Sequence, residues 1–90
     1  MPLTIEFLEN LRANGGMKQR EGDAKDGRWR IDPPLKVTAL CDGYRGEAKM
    51  IEVGQQYEVS QWGESGKYQG LVHLEPTAAF WWHMSTFEPI

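Results

Sequence analysis

Cysteine and histidine are the side chains that most readily support nucleophilic or metal chemistry, and this 90-residue chain holds Cys41, His73 and His83. One thiol and two imidazoles do not have the number or spacing of a structural zinc site. Cys41 stands at a predicted strand end, where the commoner role of cysteine is that of a small buried hydrophobe. No nucleophile elbow, P-loop or dinucleotide fingerprint accompanies it. We therefore expect no enzymatic activity, no metal and no cofactor.

Aromatic residues are the stronger candidates for function, and they recur along the second half of the chain: Tyr44, Tyr57, Trp62, Tyr68, Phe80, Trp81 and Trp82. Neighbouring residues of a strand face opposite sides, so Trp81 and Trp82 cannot both fill one core. One of the two must therefore lie at or near the surface. If Trp82 is in the core with Tyr57, Val59 and Phe87, Trp81 is left to form an exposed shelf with Trp62 or Tyr68.

Exposed aromatic shelves are typical of surfaces that bind Pro-rich or extended segments, and they supply interface hot spots. We therefore expect a protein partner, with Tyr44 among the contacting residues. A polar rim of Glu58, Glu64 and Lys67 would limit wrong partners. The alternative is that the N-terminal helix or the segment around Trp29 covers the shelf.

A second candidate surface is the run Arg28-Trp29-Arg30. The alternation predicts a strand that turns Trp29 inward and both guanidinium groups toward solvent. Such a run also suits single-stranded nucleic acid, through phosphate contacts and base stacking. Aspartates on both sides and a formal net charge of −3 oppose that interpretation, because nucleic-acid binders usually carry a clustered positive field. Nucleic-acid binding is thus the alternative function, behind protein binding.

The remaining composition restricts the setting of the protein. A single cysteine forms no intramolecular disulfide, so a cytoplasmic location is expected. No apolar run approaches the roughly 18 residues of a membrane-spanning helix. The N-terminus carries acidic residues and lacks the basic start of a signal peptide.

Glycine and proline divide the chain into an N-terminal segment, residues 1–34, and a C-terminal domain, residues 35–90. In the first, Thr4 is expected to cap a short helix that ends near Asn14. Residues 18–34 have the charged composition of a solvated connector. A helix this short is marginal alone, so its apolar side is expected to pack on the rest of this chain or in a homodimer. The alternative is that it docks into a groove of another protein.

The C-terminal domain is expected to contain five short strands separated by turn residues, a pattern typical of a small β-barrel or sandwich. The strands are predicted near residues 36–42, 48–52, 56–62, 67–74 and 79–83. A single helical turn is predicted at residues 84–86, before Phe87.

Three sets of residues carry a family resemblance: Val37, Cys41 and Gly43; the stretch Ile-Glu-Val-Gly-Gln-Gln-Tyr-Glu-Val at 51–59; and Trp-Trp-His-Met-Ser-Thr-Phe-Glu at 81–88. With them the chain resembles the small SH3-like β-barrels found as short stand-alone proteins in phage, prophage and bacterial genomes. In such barrels the Ile-x-x-Gly-x-x-Tyr-x-Val stretch enters a central strand, and an aromatic pair followed by Phe closes the barrel.

The resemblance implies a mainly β fold, α+β by content, with a five-stranded SH3-like barrel after a short N-terminal helix. Members bind peptides, bind nucleic acids or inhibit enzymes, so the resemblance does not single out one activity. For this chain it implies a phage or prophage accessory protein that binds and modulates a host protein, in the host cytoplasm. The N-terminal extension with its own helix departs from the family pattern.

Overall fold

The structure, a computed structural model, describes residues 1–77 and 80–90, and they form a mostly β protein with one short helix. The helix α1 spans Ile5–Ala13. The strands are β1 Met17–Lys18, β2 Arg28–Ala39, β3 Gly43–Arg45, β4 Ala48–Ile51, β5 Gln56–Gly63, β6 Leu71–Leu74, β7 Trp81–His83 and β8 Phe87–Pro89. Short 3₁₀ turns lie at Ala24–Asp26, Gly66–Tyr68, Glu75–Thr77 and Met84–Thr86. Among the described residues, no helix combines the length and the apolar character needed to cross a membrane.

Antiparallel pairing joins the strands into one six-stranded sheet and one hairpin. The sheet has the order β1-β2-β5-β6-β7, and β8 also pairs with β2; β3 and β4 form the hairpin. No pairing within the described part of the chain joins β7 to β8, so the sheet is not a closed barrel. The predicted mainly β architecture with a short helix is confirmed, but the strands are more numerous than the five expected.

The long strand β2 serves two parts of the sheet. Its first part pairs with β1 and with the end of β5, and its second part pairs with the start of β5 and with β8. A register shift between Arg30 and Leu35 separates the two parts. The prediction of a solvated connector over residues 18–34 is wrong, because β1 and the first part of β2 belong to the sheet. The predicted division after residue 34 falls inside β2.

Local signals of the sequence account for α1. The Thr4 hydroxyl accepts a hydrogen bond from the amide of Phe7 at 3.1 Å, which satisfies one of the free amides of the first turn. The helix ends before Gly15, whose φ of 84° lies in the left-handed region that favours glycine. Leu8 is completely buried, whereas Ile5 is 51% exposed. The helix is thus anchored to this domain chiefly through Leu8.

The core lies between the inner face of the sheet, the hairpin and α1. Its buried apolar residues include Leu8, Ile31, Val37, Ile51, Val59, Trp62, Val72, Leu74, Trp82 and Phe87. They come from nearly every strand, so a thin core is shared by the whole chain rather than by residues 35–90 alone. Tyr57, expected in this core, is half-buried and turns its ring edge-on to Phe87 at 6.2 Å.

Most of the predicted strands are present, with altered ends. β4, β5 and the turn Met84–Thr86 lie where the sequence places them. The strand predicted at 67–74 begins only at Leu71, because Gly66–Tyr68 forms a 3₁₀ turn. The strand predicted at 79–83 is observed from Trp81, and residue 79 lies outside the described residues.

Candidate functional site

The two adjacent tryptophans of β7 point to opposite faces of the sheet. Trp82 is 9% exposed and donates a hydrogen bond from Nε1 to the hydroxyl of Thr77 at 3.0 Å. Trp81 is half-buried on the outer face, and His83, two residues further along, is exposed. Strand alternation therefore decides the matter as expected, with Trp82 as the core member of the pair.

On the outer face the ring of Trp81 stacks on the ring of Tyr68. The ring centroids are 4.3 Å apart and the planes are inclined by 27°. His73, the cross-strand partner of Trp81 on β6, lies beneath, with its ring centroid 5.2 Å from that of Trp81. We call Tyr68, Trp81 and His73 the aromatic patch. No ring contact of Trp81 among the described residues comes from α1 or Trp29. The segment around Trp29 reaches the patch only through Arg28, which lies over the Tyr68 ring.

Close packing of the turn Gly66–Tyr68 on β5 positions Tyr68. The amide of Gly70 donates to the carbonyl of Gly63 at 3.0 Å. A side chain at position 63 would overlap the carbonyl group of Tyr68. Two cations flank the Tyr68 ring: Lys67 Nζ at 5.4 Å from its centroid and the Arg28 guanidinium at 5.7 Å.

We expect Gly63→Ala to destabilise the protein by about 2–3 kcal/mol, the upper part of the usual range for overpacking, because the added methyl group meets backbone that cannot move without shifting the turn. Gly70→Ala is the control: nothing lies within 4 Å of a methyl group there, and only its φ of 77° opposes the change, at about 1 kcal/mol. Urea denaturation of both variants measures the difference. An equal cost would mean that Gly63 is not required to hold Tyr68 in place.

A buried polar pair supports the patch from within the sheet. A hydrogen bond of 3.1 Å joins Ser60 Oγ and His73 Nδ1, and Ser60 Oγ also lies 3.2 Å from the carbonyl oxygen of His73. Ser60 stands at a register shift between Val59 and Gln61. The irregularity of β5 thus supplies a partner for the imidazole under Trp81, and sets the orientation of the His73 ring.

Arg28 and Arg30 are not the solvated pair that the alternation predicted. Their side chains are 24% and 26% exposed, and both reach the carboxylate of Asp23. Arg30 Nε lies 3.0 Å from Asp23 Oδ2, and Arg28 Nη2 lies 3.4 Å from Asp23 Oδ1. Arg28 also pairs with Asp26 at 3.1 Å. Two carboxylates thus offset the two guanidinium charges, which weakens this run as a phosphate-binding surface.

The carboxylate of Asp23 is itself 1% exposed. Burial alone would raise its pKa, but the amide of Arg20, which donates at 2.8 Å, and the Arg30 guanidinium outweigh burial and hold the pKa of Asp23 below its usual value. Asp23 is therefore an ionised, buried anchor. It ties the turn at Ala24–Asp26 to β2.

Trp29 and Glu64 belong to a second polar cluster. Trp29 is half-buried, its Nε1 donates to Glu64 Oε1 at 3.1 Å, and the Arg12 guanidinium lies 5.1 Å from its ring centroid. Arg12 of α1 also pairs with Glu64. The hydrogen bond from Arg12 holds the pKa of Glu64 below its usual value, against the opposing effect of burial. Glu64 was predicted in a solvated rim; instead it links α1 to β5.

We expect Arg12→Ala and Glu64→Gln each to cost about 1 kcal/mol of stability, and the double variant to cost less than their sum. The reason is that both changes remove the same ion pair. Since the pKa of Glu64 is lowered in the folded state, the coupling should be complete near neutral pH and should disappear as the pH falls below about 4. Chemical denaturation of the four proteins at pH 7 and pH 3 measures it. Strict additivity at pH 7 would exclude the ion pair as a stabilising contact.

Other predicted residues lie away from the patch or inside the molecule. Trp62 is 1% exposed, so its predicted place in an exposed shelf is wrong: its register on β5 faces it into the core. Tyr44 is 52% exposed on the hairpin and makes no ring contact with another described aromatic residue. Cys41, expected to be buried, is exposed, because the chain leaves the sheet after Ala39.

Of the predicted binding residues, the structure brings Trp81, Tyr68 and Arg28 together. Sequence reasoning missed His73 as part of the patch and Gly63 as its support. No local pattern in the sequence indicates that His73 belongs to the patch, because its place under Trp81 depends on the pairing of β6 with β7. A shallow groove of about 360 Å³ lies elsewhere, lined by Lys36, Gln56, Tyr57, Glu58 and Glu75. Among the described residues, no three His, Cys, Asp or Glu side chains lie together as metal ligands would.

No protein-family model matches the chain. A search of curated proteins and a search of solved structures likewise found no match. The interpretation of this surface therefore depends on its own residues and their geometry.

Proposed function

We propose that this protein is a small interaction domain that binds a protein partner, without turnover, through the aromatic patch. The observation that carries the proposal is the stack of Tyr68 on Trp81 on the outer face of the sheet. A partly exposed tryptophan that is not needed to fill the core offers a large apolar surface at low cost in conformational freedom. Such side chains, with cations at their edge, are common anchors of protein interfaces.

We also propose an SH3-like arrangement of the C-terminal strands. The strand positions support it: the stretch at 51–59 leads into β5, which lies between β2 and β6, and Phe87 opens β8, which pairs with β2. The central position of β5 agrees with what the resemblance implies for the first motif, whereas the closure implied for the second motif is not observed among the described strands. On the basis of the resemblance, we also propose that the chain is a phage or prophage accessory protein that acts on a host protein.

A protein partner is favoured over a nucleic acid by the charges. The chain has a net charge of −3, and the arginines of the alternative surface are engaged with Asp23. Trp29 is half-buried and the Arg12 guanidinium lies over its ring, which leaves less of the ring for base stacking. A nucleic acid would meet little uncompensated positive charge on this surface.

The test is affinity capture from a nuclease-treated bacterial lysate with the tagged wild type, Trp81→Ala and Tyr44→Ala as baits, read by mass spectrometry. We expect wild type and Tyr44→Ala to retain one captured protein that Trp81→Ala loses. With that protein purified, Trp81→Ala should bind it at least about 30-fold more weakly than wild type does. Tyr44→Ala is the matched control, because it removes an exposed aromatic ring from a different surface.

Circular dichroism and thermal denaturation must show that Trp81→Ala is folded at the temperature of the capture. Tyr68→Ala provides an independent variant of the same stack. Equal capture by wild type, Trp81→Ala and Tyr68→Ala would overturn the proposal. Material retained only when nuclease is omitted, and lost in the double variant Arg28→Ala/Arg30→Ala, would favour nucleic-acid binding instead.

A further inference from the structure

The outer edge of β7 is open. β7 is the last strand of the sheet order, and within the described part of the chain no strand pairs with its far side. The hydrogen bond from the amide of Met84 to the carbonyl of Gly70, at 3.0 Å, defines the pairing of β7 with β6. With Leu71 opposite His83, this bond makes Leu71 and His83 a non-hydrogen-bonded pair.

The alternation of antiparallel pairing then determines the direction of every backbone group in β7. Trp82 exchanges its hydrogen bonds with Val72, whereas the N–H and C=O groups of Trp81 and His83 point away from β6, toward the open edge. The C=O of His83, the N-cap of the turn Met84–Thr86, accepts the first bond of that turn. Within the described part of the chain, no residue bonds to the N–H groups of Trp81 and His83 or to the C=O of Trp81. Two donors and one acceptor are thus presented in the spacing of an extended strand.

The other edges of the same sheet are closed or short. On β8, the carbonyl of Phe87 accepts a hydrogen bond from the amide of Leu3 at 2.8 Å, the amide of Phe87 donates to the carbonyl of Met84, and Pro89 has no N–H. β1 has only two residues. Proteins usually protect sheet edges in these ways. The edge of β7, the strand that carries Trp81, has none of these protections among the described residues.

We propose that an extended segment of the partner adds to the open edge of β7 as a further strand and lays one of its side chains against Trp81. This inference rests on the proposed function and specifies its mode of recognition. An extended backbone is the occupant that complements outward N–H and C=O groups in strand spacing, and side-chain pockets beside the new strand then supply the selectivity.

Charge at the patch defines the segment further. Lys67 is exposed and forms no ion pair with a described residue, whereas Arg28 is offset by Asp23 and Asp26. The uncompensated charge beside Tyr68 is therefore positive. The segment carries an apolar side chain for Trp81 and an acidic side chain for Lys67 on the same face, which places them at even spacing along the added strand.

The decisive variant is His83→Pro, with His83→Ala as its matched control. The φ of His83 is −62°, which is the value that proline imposes, and Trp82 before it is in a strand. Both variants lose the side-chain hydrogen bond from the amide of Ser85 to Nδ1. Only the proline variant also loses the outward N–H, and no bond within the sheet depends on that group.

The probe is a displayed library of random peptides of about 12 residues, long enough to form one strand, selected on immobilised wild-type protein. We expect enriched peptides that combine apolar and acidic residues at even spacing. Synthetic copies should bind His83→Pro at least about tenfold more weakly than His83→Ala. Peptides with one backbone N-methyl group, placed in turn at each position, should lose binding at alternate positions only, which tests strand addition without any protein variant.

Several results would overturn strand addition. The first is that no peptide is enriched over the bare support. The second is that His83→Pro and His83→Ala bind the peptides equally and that N-methylation has no effect at any position. The third is that the enriched peptides are rich in basic residues. If Trp81→Ala still loses the captured protein in these cases, the proposed function stands and only the mode of recognition is wrong. If Trp81→Ala also retains the captured protein, both proposals fall.

Discussion

Replacing Trp62 with alanine should remove a large part of the protein's stability at 25 °C. The side chain is 1% exposed and is the largest fully buried one among the described residues, and truncating a buried tryptophan costs about 3–5 kcal/mol through lost burial and the cavity that remains. A domain of this size has a total stability of only about 5–15 kcal/mol. Urea denaturation followed by far-ultraviolet circular dichroism measures the loss.

Two further variants make this prediction specific. Trp62→Phe retains a large ring and removes an indole N–H that no described group accepts, so we expect a clearly smaller cost than for alanine. Trp81→Ala, on the outer face, should cost only about 1–2 kcal/mol. A Trp62→Ala variant as stable as Trp81→Ala would contradict the assignment of Trp62 to the core and of Trp81 to the surface.

Asp23→Asn is expected to destabilise the protein by about 2–3 kcal/mol at pH 7. Removing one partner of a buried ion pair leaves the other charge buried without a counter-charge, which costs about 3–5 kcal/mol when both partners are buried. The value is lower here because Arg28 and Arg30 each remain about a quarter exposed. Asp26→Asn is the control, since Asp26 is 44% exposed and contacts Arg28 alone among the basic residues described; its cost should stay below about 1 kcal/mol.

The effect of Asp23→Asn should depend on pH in one direction. The pKa of Asp23 is lower in the folded state than its usual value, so the ionised carboxylate stabilises the fold above about pH 4 and this contribution is lost as the pH falls through the lowered pKa. The difference between wild type and variant should therefore be largest near neutral pH and should vanish in strong acid. A difference that grows on acidification would show that Asp23 is not an ionised anchor.

Features that depend on neighbouring residues along the chain could be predicted from the sequence. The helix Ile5–Ala13 follows from a capping threonine and a terminal glycine, which act within one turn of the residues they affect. Strand alternation likewise required Trp81 and Trp82 to face opposite sides. A mainly β fold with a short helix follows from the same local rules.

Features that depend on strand pairing could not. Residues 18–34 have the composition of a connector. Asp23 nevertheless forms ion pairs with two arginines of β2, and these ion pairs hold the charged segment against the sheet. Trp62 was assigned to a surface because its neighbours do not reveal its register. Cys41 lies at the surface because β2 ends at Ala39, three residues before the end predicted for this strand.

The alternation of residues, the positions of the turns and the net charge follow from the amino-acid sequence alone, because each of these depends on near neighbours and on composition. The stack of Tyr68 on Trp81 over His73, and the unpaired edge of β7 beside this stack, emerge only when the strands pair. Those contacts join residues from different strands. Their register is set by a shared core and by ion pairs that span the chain, and no local pattern contains that information.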